Sequence, residues 1–227
     1  FKLAKEAVIA ADPYVDFTQY DTNSDDVIDS LIIVHAGNGQ ESSGVSTDIW
    51  SHKWSIYVWG GSEWSLGYMT ADGVKAIGYT MIAENSPLGT FAHEFGHDLG
   101  LPDLYDTDYG SYGVGYWDIM AYGSWLNSGN TPAHLSAWSK YFLGWVNPTK
   151  VKATLRNEQI SQSETNDDVY MLLDNPGDSP GSLDWTSSDT GTGEYFLVEN
   201  RRKTGYDAYL PGEGLLIWHI DETRGNN

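Results

Sequence analysis

The sequence predicts an α+β fold that combines short strands with a few helices. Residues 2–11 place apolar side chains at helical spacing, and residues 31–34 form a short apolar run typical of a buried strand. A Gly/Ser-rich loop follows at 35–48, and further strand-like segments lie after Pro148. With 227 residues and 40% apolar content, the chain is long enough to bury a core, which excludes a largely disordered protein.

The middle of the chain predicts two strands followed by a helix. The strands are predicted around 55–59 and 76–82, and the second of them is rich in β-formers. The helix is predicted from about residue 90 to 99. Thr90 is suited to cap its start, and Gly100 to adopt the left-handed conformation that often ends a helix.

The second half of the chain predicts a long loop, a helix and then strands. The loop at 103–130 is of a length that is typical of functional or ion-bound segments. Thr131 and Pro132 predict the start of a second helix, with proline at its first position, and Gly144 predicts its end. The remaining segments predict, in order, a strand at 168–173, a polar surface loop at 175–193, and strands at 194–200 and 214–220.

Composition excludes several classes of function. The 12 Lys and Arg residues against 32 Asp and Glu residues leave a net charge of −20, which repels nucleic acid and anionic lipid. No apolar run approaches the ~20 residues of a membrane-spanning helix, so we expect neither nucleic acid binding nor membrane insertion. Cysteine is absent, which excludes disulfides and thiolate metal sites. Because the chain begins at Phe1 rather than Met, we expect a processed piece of a longer precursor.

A metal-binding motif lies in the helix predicted at 90–99. Residues 93–97 read His-Glu-Phe-Gly-His, and two histidines four residues apart project from one face of a helix, as two ligands of one Zn²⁺ require. Glu94 is placed to act as general base toward an attacking water. Because Gly100 ends the helix, Asp103 can fold back as third ligand and leave the fourth position open. The predicted catalytic zinc ligands are therefore His93, His97 and Asp103.

The third ligand and the residues after it separate enzyme classes. A thermolysin-like site needs a Glu on a following helix, but no Glu lies between Glu94 and Glu158. Met120 instead follows Asp103 at the spacing of the extended His-Glu-x-x-His motif, whose Met-turn forms an apolar floor beneath the metal. We therefore expect Met120 to be a Met-turn residue rather than an ordinary core side chain.

Two segments show a family resemblance. TFAHEFGHDLGLPDLYD at 90–106 and WDIMAYGSW at 117–125 resemble the immune inhibitor A family of secreted bacterial metalloproteases, which belongs to the metzincin clan. Further segments agree as well, so the resemblance covers most of the chain, from about residue 15 to 221. The resemblance implies a zinc endopeptidase, secreted by a bacterium behind a propeptide as a zymogen, with bound calcium. By position it implies the zinc ligands, the base and the Met-turn residue named above.

The resemblance also implies a domain organisation. We expect a metzincin-like catalytic domain at 1–148, in which a twisted mixed sheet packs on the N-terminal and active-site helices. A lower subdomain is expected to hold the Met-turn and the second helix. A β-rich C-terminal extension, truncated or complete, is expected at 149–227. The strand at 76–84 precedes the active-site helix, and in metzincins the strand in that position forms the upper rim of the cleft. We expect that a peptide can add to it as an extra strand.

Tyr122 departs from the pattern expected of the family, in which small residues are common two positions after the Met-turn methionine. It resembles the astacin and serralysin branches, whose tyrosine at that spacing touches zinc or the tetrahedral intermediate. Two interpretations stay open: a catalytic role for Tyr122, or a loop aromatic that packs nearby.

An acidic turn before the first strand predicts a calcium site. Alternating oxygen donors come from Asp21, Asn23, Asp25, the Val27 carbonyl and Asp29. The turn is not an EF-hand, because Ile32 stands at the twelfth position and Asp26 replaces the usual glycine. Carboxylates so crowded repel one another without a cation, so calcium is favoured over a solvated turn.

Other acidic residues and histidines are weaker candidates. Asp106 with Asp108, or Gln40 and Glu41 with Asp48, offer oxygen donors for a second calcium, but solvated loop acids are the preferred interpretation. The remaining histidines have no ligand spacing and are interpreted as structural: His35, His52, His134 and His219.

The predicted function is that of a secreted zinc endopeptidase that hydrolyses protein or peptide substrates with metal-activated water and Glu94 as general base. One alternative is a snapalysin-like small zinc protease with the same Asp third ligand, although this chain is long for it. Another is a non-catalytic, calcium-stabilised extracellular binding module, which is disfavoured because such a module has no need of Glu94.

Overall fold

The computed structural model describes residues 1–108, 110–173 and 193–222, and the chain folds into two compact units, Phe1–Ser86 and Pro87–Asn227. Both units contain helices and strands, so the α+β prediction is confirmed. Within the described ranges, every helix is too short or too polar to cross a membrane.

The first unit contains two helices, a 3₁₀ turn and seven short strands. In chain order they are α1 (Lys2–Ala11), the 3₁₀ turn Phe17–Tyr20, β1 (Ile32–His35), α2 (Gln40–Ser43), β2 (His52–Ser55), β3 (Tyr57–Trp59), β4 (Trp64–Leu66), β5 (Tyr68–Met69), β6 (Lys75–Ala76) and β7 (Gly78–Ala83). The pairs β3–β4 and β5–β6 form separate two-stranded ribbons.

A mixed sheet forms the centre of the first unit. Its strand order is β1-β7-β2, with β1 parallel to β7, where Ile33 lies opposite Met81, and β2 antiparallel to β7. Helix α1 turns its apolar stripe toward this sheet, so that Ala4 and Val8 are buried in the same core as Tyr79 and Met81. The predicted mixed sheet and N-terminal helix are thus both present.

The position of β7 contradicts one prediction about substrate binding. Both edges of β7 are already hydrogen-bonded, one to β1 and the other to β2. A peptide therefore cannot add to this strand, and the prediction that the strand at 76–84 accepts one is wrong. The edge positions of the sheet belong to β1 and β2.

The second unit begins with helical elements and ends in a sheet. In chain order it contains α3 (Leu88–Asp98), the 3₁₀ turns Gly115–Trp117 and Tyr122–Gly129, α4 (Ala137–Phe142), β8 (Thr149–Lys150), β9 (Tyr170–Leu172), β10 (Glu194–Arg201), the 3₁₀ turn Gly205–Tyr209 and β11 (Gly214–Asp221). In the described part of this unit, the four strands form one sheet in the order β11-β10-β9-β8.

One core joins the two parts of the second unit. Leu101, Met120 and Trp138, from the helical part, are buried together with Met171 and Leu197 of the sheet. The predicted division at residues 148 and 149 stays a prediction, but the two sides of that point share buried apolar surface within this unit.

Most predicted elements are present within one or two residues of their expected bounds. These are the helix at 2–11 and the strands at 31–34, 76–82, 168–173, 194–200 and 214–220. The predicted strand at 55–59 is interrupted at Ile56, whose backbone pairs with Ile77 and Gly67 instead. The predicted loop at 35–48 contains the short helix α2, and that at 175–193 lies, except for Gly193, outside the described residues.

The cap of helix α3 and the start of helix α4 were predicted wrongly. Helix α3 begins at Leu88 after Pro87, whose φ of −68° suits a helix start, so Thr90 lies in the first turn and is not the cap. Helix α4 begins at Ala137, because Ser136 caps it by accepting the N–H of Ser139. Pro132 does not open this helix.

The segment before α4 stays extended because its backbone bonds elsewhere. The N–H of Ala133 donates to the Gly123 carbonyl and that of His134 to the Asp207 carboxylate. Both partners are distant in sequence, so no local pattern reveals them.

Candidate metal centre

Helix α3 carries the predicted metal-binding motif and lies close against its neighbours at two glycines. A Cβ on Gly89 would overlap the Ser124 carbonyl, and a Cβ on Gly96 would overlap the Met120 sulfur. Because these glycines have no side chain, the helix can approach the segments that surround His93.

The end of α3 turns the chain back toward the histidines. Gly100 has a φ of +100°, and its N–H donates to the His97 carbonyl while that of Leu101 donates to the Gly96 carbonyl. These two bonds and the left-handed glycine form a Schellman motif. The predicted role of Gly100 is confirmed, and the turn brings the following residues to the face that bears His93 and His97.

Three side chains meet at the end of this turn. The Nε2 atoms of His93 and His97 lie 3.1 and 3.2 Å from the same oxygen, Oδ1 of Asp103. Ligands about 2.0–2.1 Å from a tetrahedral zinc ion are separated from one another by about 3.3 Å. The donor atoms therefore have the spacing of a tetrahedral metal site. Among the described residues, this is the only group of three or more His, Cys, Asp or Glu side chains close enough to hold a metal ion.

Backbone carbonyls orient both imidazoles. Nδ1 of His93 lies 2.8 Å from the Ile119 carbonyl, and Nδ1 of His97 lies 2.7 Å from the Leu101 carbonyl. A carbonyl only accepts, so each Nδ1 carries the proton and each Nε2 is left free to bind a metal. Such outer partners fix the ring orientation of metal-binding histidines.

Charge in the centre favours a cation. Burial alone would raise the pKa of Asp103, but its hydrogen bonds and charge interactions with His93 and His97 hold that pKa well below its usual range. Burial would lower the pKa of His93, but the hydrogen bond to Asp103 and the charges of Glu94 and Asp103 raise it. The carboxylates of Asp103 and Glu94 thus favour positive charge beside the two imidazoles.

Glu94 and Met120 both lie close to the two histidines of α3. Glu94 follows His93 on α3 and is 8% exposed, and its charge is near enough to raise the pKa of His93. Met120 is fully buried, and its sulfur packs against Gly96 between the two histidine positions of α3. Their roles in catalysis and in the Met-turn stay predictions.

Tyr122 lies in a cluster of tyrosines beside the metal centre. Its ring centroid is 6.3 Å from that of Tyr105, 5.7 Å from that of Tyr112 and 5.9 Å from that of Tyr116. Tyr105 in turn stacks on His93 at 6.3 Å. Tyr122 is therefore one ring removed from a predicted metal ligand, and whether its hydroxyl acts in catalysis stays a prediction.

The acidic turn is organised by hydrogen bonds of its own. Asp21 accepts the N–H groups of Asp25 and Asp26, and Asp25 accepts that of Val27. Asp29 accepts both the N–H and the hydroxyl of Thr22, which lowers the pKa of Asp29. The backbone of Asp26 has a φ of +64°, the left-handed conformation expected where an EF-hand has glycine.

The weaker candidates are also engaged locally. Glu41 accepts the N–H and the hydroxyl of Ser51, and Asp48 accepts the hydroxyl of Ser43. Asp106 accepts the N–H of Asp108, and Asp108 that of Gly110. Among the described residues, none of these acids lies in a group of three ligands, and their interpretation as loop acids stays a prediction.

The four remaining histidines lie apart from the metal centre's ligand group. Two of them contact neighbouring carbonyls, since Nδ1 of His35 lies 3.0 Å from the Ala36 carbonyl and Nδ1 of His52 lies 2.6 Å from that of Trp50. His219 pairs with Glu194 at 3.1 Å. The sequence analysis missed Ile119 and Leu101, whose backbone carbonyls contact His93 and His97. Every residue has such a carbonyl, so residue type does not identify them.

A helix bearing His-Glu-x-x-His, followed by a carboxylate that folds back onto both imidazoles, is an arrangement typical of the metallopeptidase class. Comparison with known families agrees: the immune inhibitor A peptidase M6 catalytic domain matches residues 3–146. The chain belongs to this family.

Two relatives illustrate the similarity. Immune inhibitor A from Bacillus thuringiensis subsp. alesti is 34% identical over 200 residues, which cover 78% of this chain and 29% of that protein. The pre-pro-metalloprotease PrtV from Vibrio cholerae serotype O1 (strain M66-2) is 36% identical over 194 residues, which cover 72% of this chain and 20% of that protein. The chain thus spans less than a third of the length of these curated relatives.

Proposed function

We propose that this chain is the catalytic part of a zinc-dependent endopeptidase that hydrolyses peptide bonds of proteins. The observation that carries the proposal is the convergence of His93 Nε2 and His97 Nε2 on one oxygen of Asp103, at 3.1 and 3.2 Å. Membership of a peptidase family and the metalloprotease name of PrtV support it.

Zinc fits the donor set better than the common hard cations. Two imidazole nitrogens and one carboxylate oxygen suit zinc, whereas calcium and magnesium prefer an all-oxygen shell. His93, His97 and Asp103 would hold the ion and leave one position for substrate or water. When bound, zinc supplies a Lewis acid that polarises the scissile carbonyl and acidifies the attacking water.

Glu94 is the proposed general base. Its carboxylate accepts a proton from the attacking water and delivers it to the amine nitrogen of the leaving peptide. Its position on α3 directly after His93, and its burial, support this role. A carboxylate in a site of low solvent exposure is shielded from competing water.

Tyr122 is proposed to donate its hydroxyl proton in a hydrogen bond to the oxygen that becomes negative in the transition state. Its place in the tyrosine cluster that adjoins His93 supports the role. The other interpretation, packing within that cluster, predicts a different response to removal of the hydroxyl.

The biological setting is likewise a proposal. We propose that the protein is secreted by a bacterium as a zymogen with a propeptide, and that residues 1–148 form a metzincin-like catalytic domain with a β-rich extension at 149–227. The word "pre-pro" in the name of PrtV supports the zymogen. Protein substrates are inferred from the peptidase family.

We further propose that the acidic turn at 21–29 binds calcium and stabilises the first unit. The left-handed Asp26 and the inward hydrogen bonds of Asp21 and Asp25 support a preformed loop. The donors are Asp21, Asn23, Asp25, the Val27 carbonyl and Asp29.

The two alternative functions predict less of what is observed. A snapalysin-like protease shares the Asp ligand, but the match to residues 3–146 places this chain in the immune inhibitor A family. A calcium-stabilised binding module has no need of a metal-centre carboxylate at position 94, whereas Glu94 is present and buried on α3.

The decisive experiment compares casein hydrolysis and zinc content for wild type and Glu94→Ala. We expect wild type to bind one zinc ion per chain, and Glu94→Ala to keep that zinc while losing about 10²–10⁴-fold in rate. Glu158→Gln, on the exposed surface, is the matched control. Undiminished hydrolysis by Glu94→Ala, or wild type without bound zinc, would contradict the proposal.

A further inference from the structure

The segment 117–120, which we call the Met-turn, contacts the metal centre at two points. The Ile119 carbonyl lies 2.8 Å from Nδ1 of His93. The Met120 carbonyl accepts the N–H of Leu104, the residue after Asp103, at 2.8 Å. The position of the Met-turn therefore sets the orientation of one predicted ligand and the path of the chain beside another.

The Met-turn is fixed at both of its ends. Asp118, which is fully buried, accepts the N–H of Met120 and that of Ser136, each at 2.7 Å. The Trp117 carbonyl accepts a hydrogen bond of 3.0 Å from the guanidinium of Arg201. Ile119 lies between these two anchors, so its carbonyl has little freedom to turn away from His93.

Arg201 is itself immobilised. It is fully buried, and its Nε and Nη2 donate to the two oxygens of Asp207 at 2.7 and 2.6 Å. Nη2 also donates to the His134 carbonyl at 3.3 Å, and Nη1 contacts Glu199 at 3.4 Å. A planar guanidinium that makes a bidentate carboxylate pair and still reaches a carbonyl has a geometry that a lysine ammonium cannot copy.

We infer that Arg201 is a positioning residue for the metal centre, acting through the Trp117 carbonyl and the Met-turn on His93. The inference rests on the proposed zinc function of His93, His97 and Asp103. A group that orients a metal-binding histidine through one intermediate differs from a catalytic residue, because it touches neither metal nor substrate.

The C-terminal sheet would thereby take part in building the metal centre. Arg201 ends β10, and its partner Asp207 lies in the following 3₁₀ turn. Both lie beyond residue 146, where the match to the family's catalytic domain ends. The β-rich extension would thus complete the metal centre rather than merely follow it.

The test measures zinc affinity by chelator competition in wild type, Arg201→Lys and Glu222→Gln. Glu222 is the control, because it is a buried carboxylate directly after β11 that accepts hydrogen bonds from the Tyr195 hydroxyl and the Gly193 N–H. We expect Arg201→Lys to weaken zinc binding about 10–100-fold, the usual cost of losing an outer partner, and Glu222→Gln to stay within about twofold of wild type. The Co²⁺ spectrum of Arg201→Lys should also change, since it reports ligand geometry.

A second measurement keeps the inference testable if Arg201→Lys does not fold. Coupling between sites is reciprocal, so zinc should slow amide exchange at His134 and Ala137, whose N–H groups donate to Asp207 and Glu199. The Gly193 amide, which donates to Glu222, is the internal control. Wild type that binds no zinc refutes the proposed function. Zinc-bound wild type with unchanged affinity in folded Arg201→Lys, or with exchange at His134 and Ala137 unaffected by zinc, refutes the role of Arg201 alone.

Discussion

The metal centre of the second unit and the acidic turn of the first unit were both predicted from the spacing of donor residues. The donor side chains of the two regions make different contacts in the structure. The donors of the metal centre converge on one point, where Asp103 lies within 3.2 Å of both histidines. The acidic turn instead directs Asp21 and Asp25 toward its own backbone N–H groups.

Donor residues on a helix determine a site more strictly than donor residues in a turn. A helix fixes the distance between His93 and His97, because residues four apart project from one face, and the Schellman turn at Gly100 then returns the chain. Alternating oxygens in a turn fix no such geometry, since each carboxylate can satisfy backbone N–H groups as well as a cation. Spacing on a regular element is therefore the stronger predictor.

Two matched substitutions, one in the metal centre and one in the acidic turn, should change zinc affinity very differently. Asp103→Asn keeps the shape of the side chain but removes the charge that attracts the cation. We expect zinc affinity to fall by more than about 100-fold, because a direct ligand contributes more than an outer partner does. Asp25→Asn removes a charge from the acidic turn and should leave zinc affinity within about twofold. Competition with a chelator measures both.

Equal zinc affinity in Asp103→Asn and wild type would remove Asp103 from the ligand set. Loss of zinc in Asp25→Asn, with the protein still folded, would show that the two regions are not independent.

Much of the fold could be predicted because local patterns determine it. The apolar stripe of α1, the β-rich run that becomes β7, and the glycine after α3 each act within a few residues. The start of α4 could not be predicted, because His134 is held extended by Asp207, far along the chain. The central place of β7, which excludes a peptide from its edges, likewise depends on long-range pairing.

The metal centre likewise contains some residues that local patterns predict and others that they do not. The ligands and Glu94 are identifiable from residue type and spacing, whereas the Ile119 carbonyl that orients His93 is identical in type to every other carbonyl. Arg201 could not be predicted either, since its link to Trp117 joins residues in separate parts of the second unit. Residue type predicts donors to a metal, and only the folded backbone determines what orients them.

Tyr122 adjoins the metal centre without belonging to its three-ligand group. If its hydroxyl donates to the developing oxyanion, Tyr122→Phe should lower kcat about 10–10³-fold, or about 1.4–4 kcal/mol, with KM little changed. Steady-state kinetics on a peptide substrate measure both constants. Tyr112→Phe is the control, since Tyr112 lies in the same cluster and is 71% exposed. Wild-type kcat in Tyr122→Phe would leave only a packing role.

The change in melting temperature on adding calcium tests whether the acidic turn is a cation site at all, and this change should be small. A cation that binds only the folded protein stabilises it by mass action. With a Kd of about 10⁻⁴–10⁻³ M, as in extracellular calcium modules, 10 mM calcium should add about 1.4–2.7 kcal/mol. That corresponds to about 3–11 °C in the melting temperature of a chain of this size.

The measurement uses protein freed of calcium and then reloaded with zinc, so that the metal centre is the same in every sample. Asp25→Asn should lose most of the shift, and magnesium at equal concentration controls for screening of the net charge of −20. Equal melting curves with calcium and magnesium would mean that the turn is stabilised by its own hydrogen bonds, and the metal centre would then be the one predicted cation site that the chain uses within its described residues.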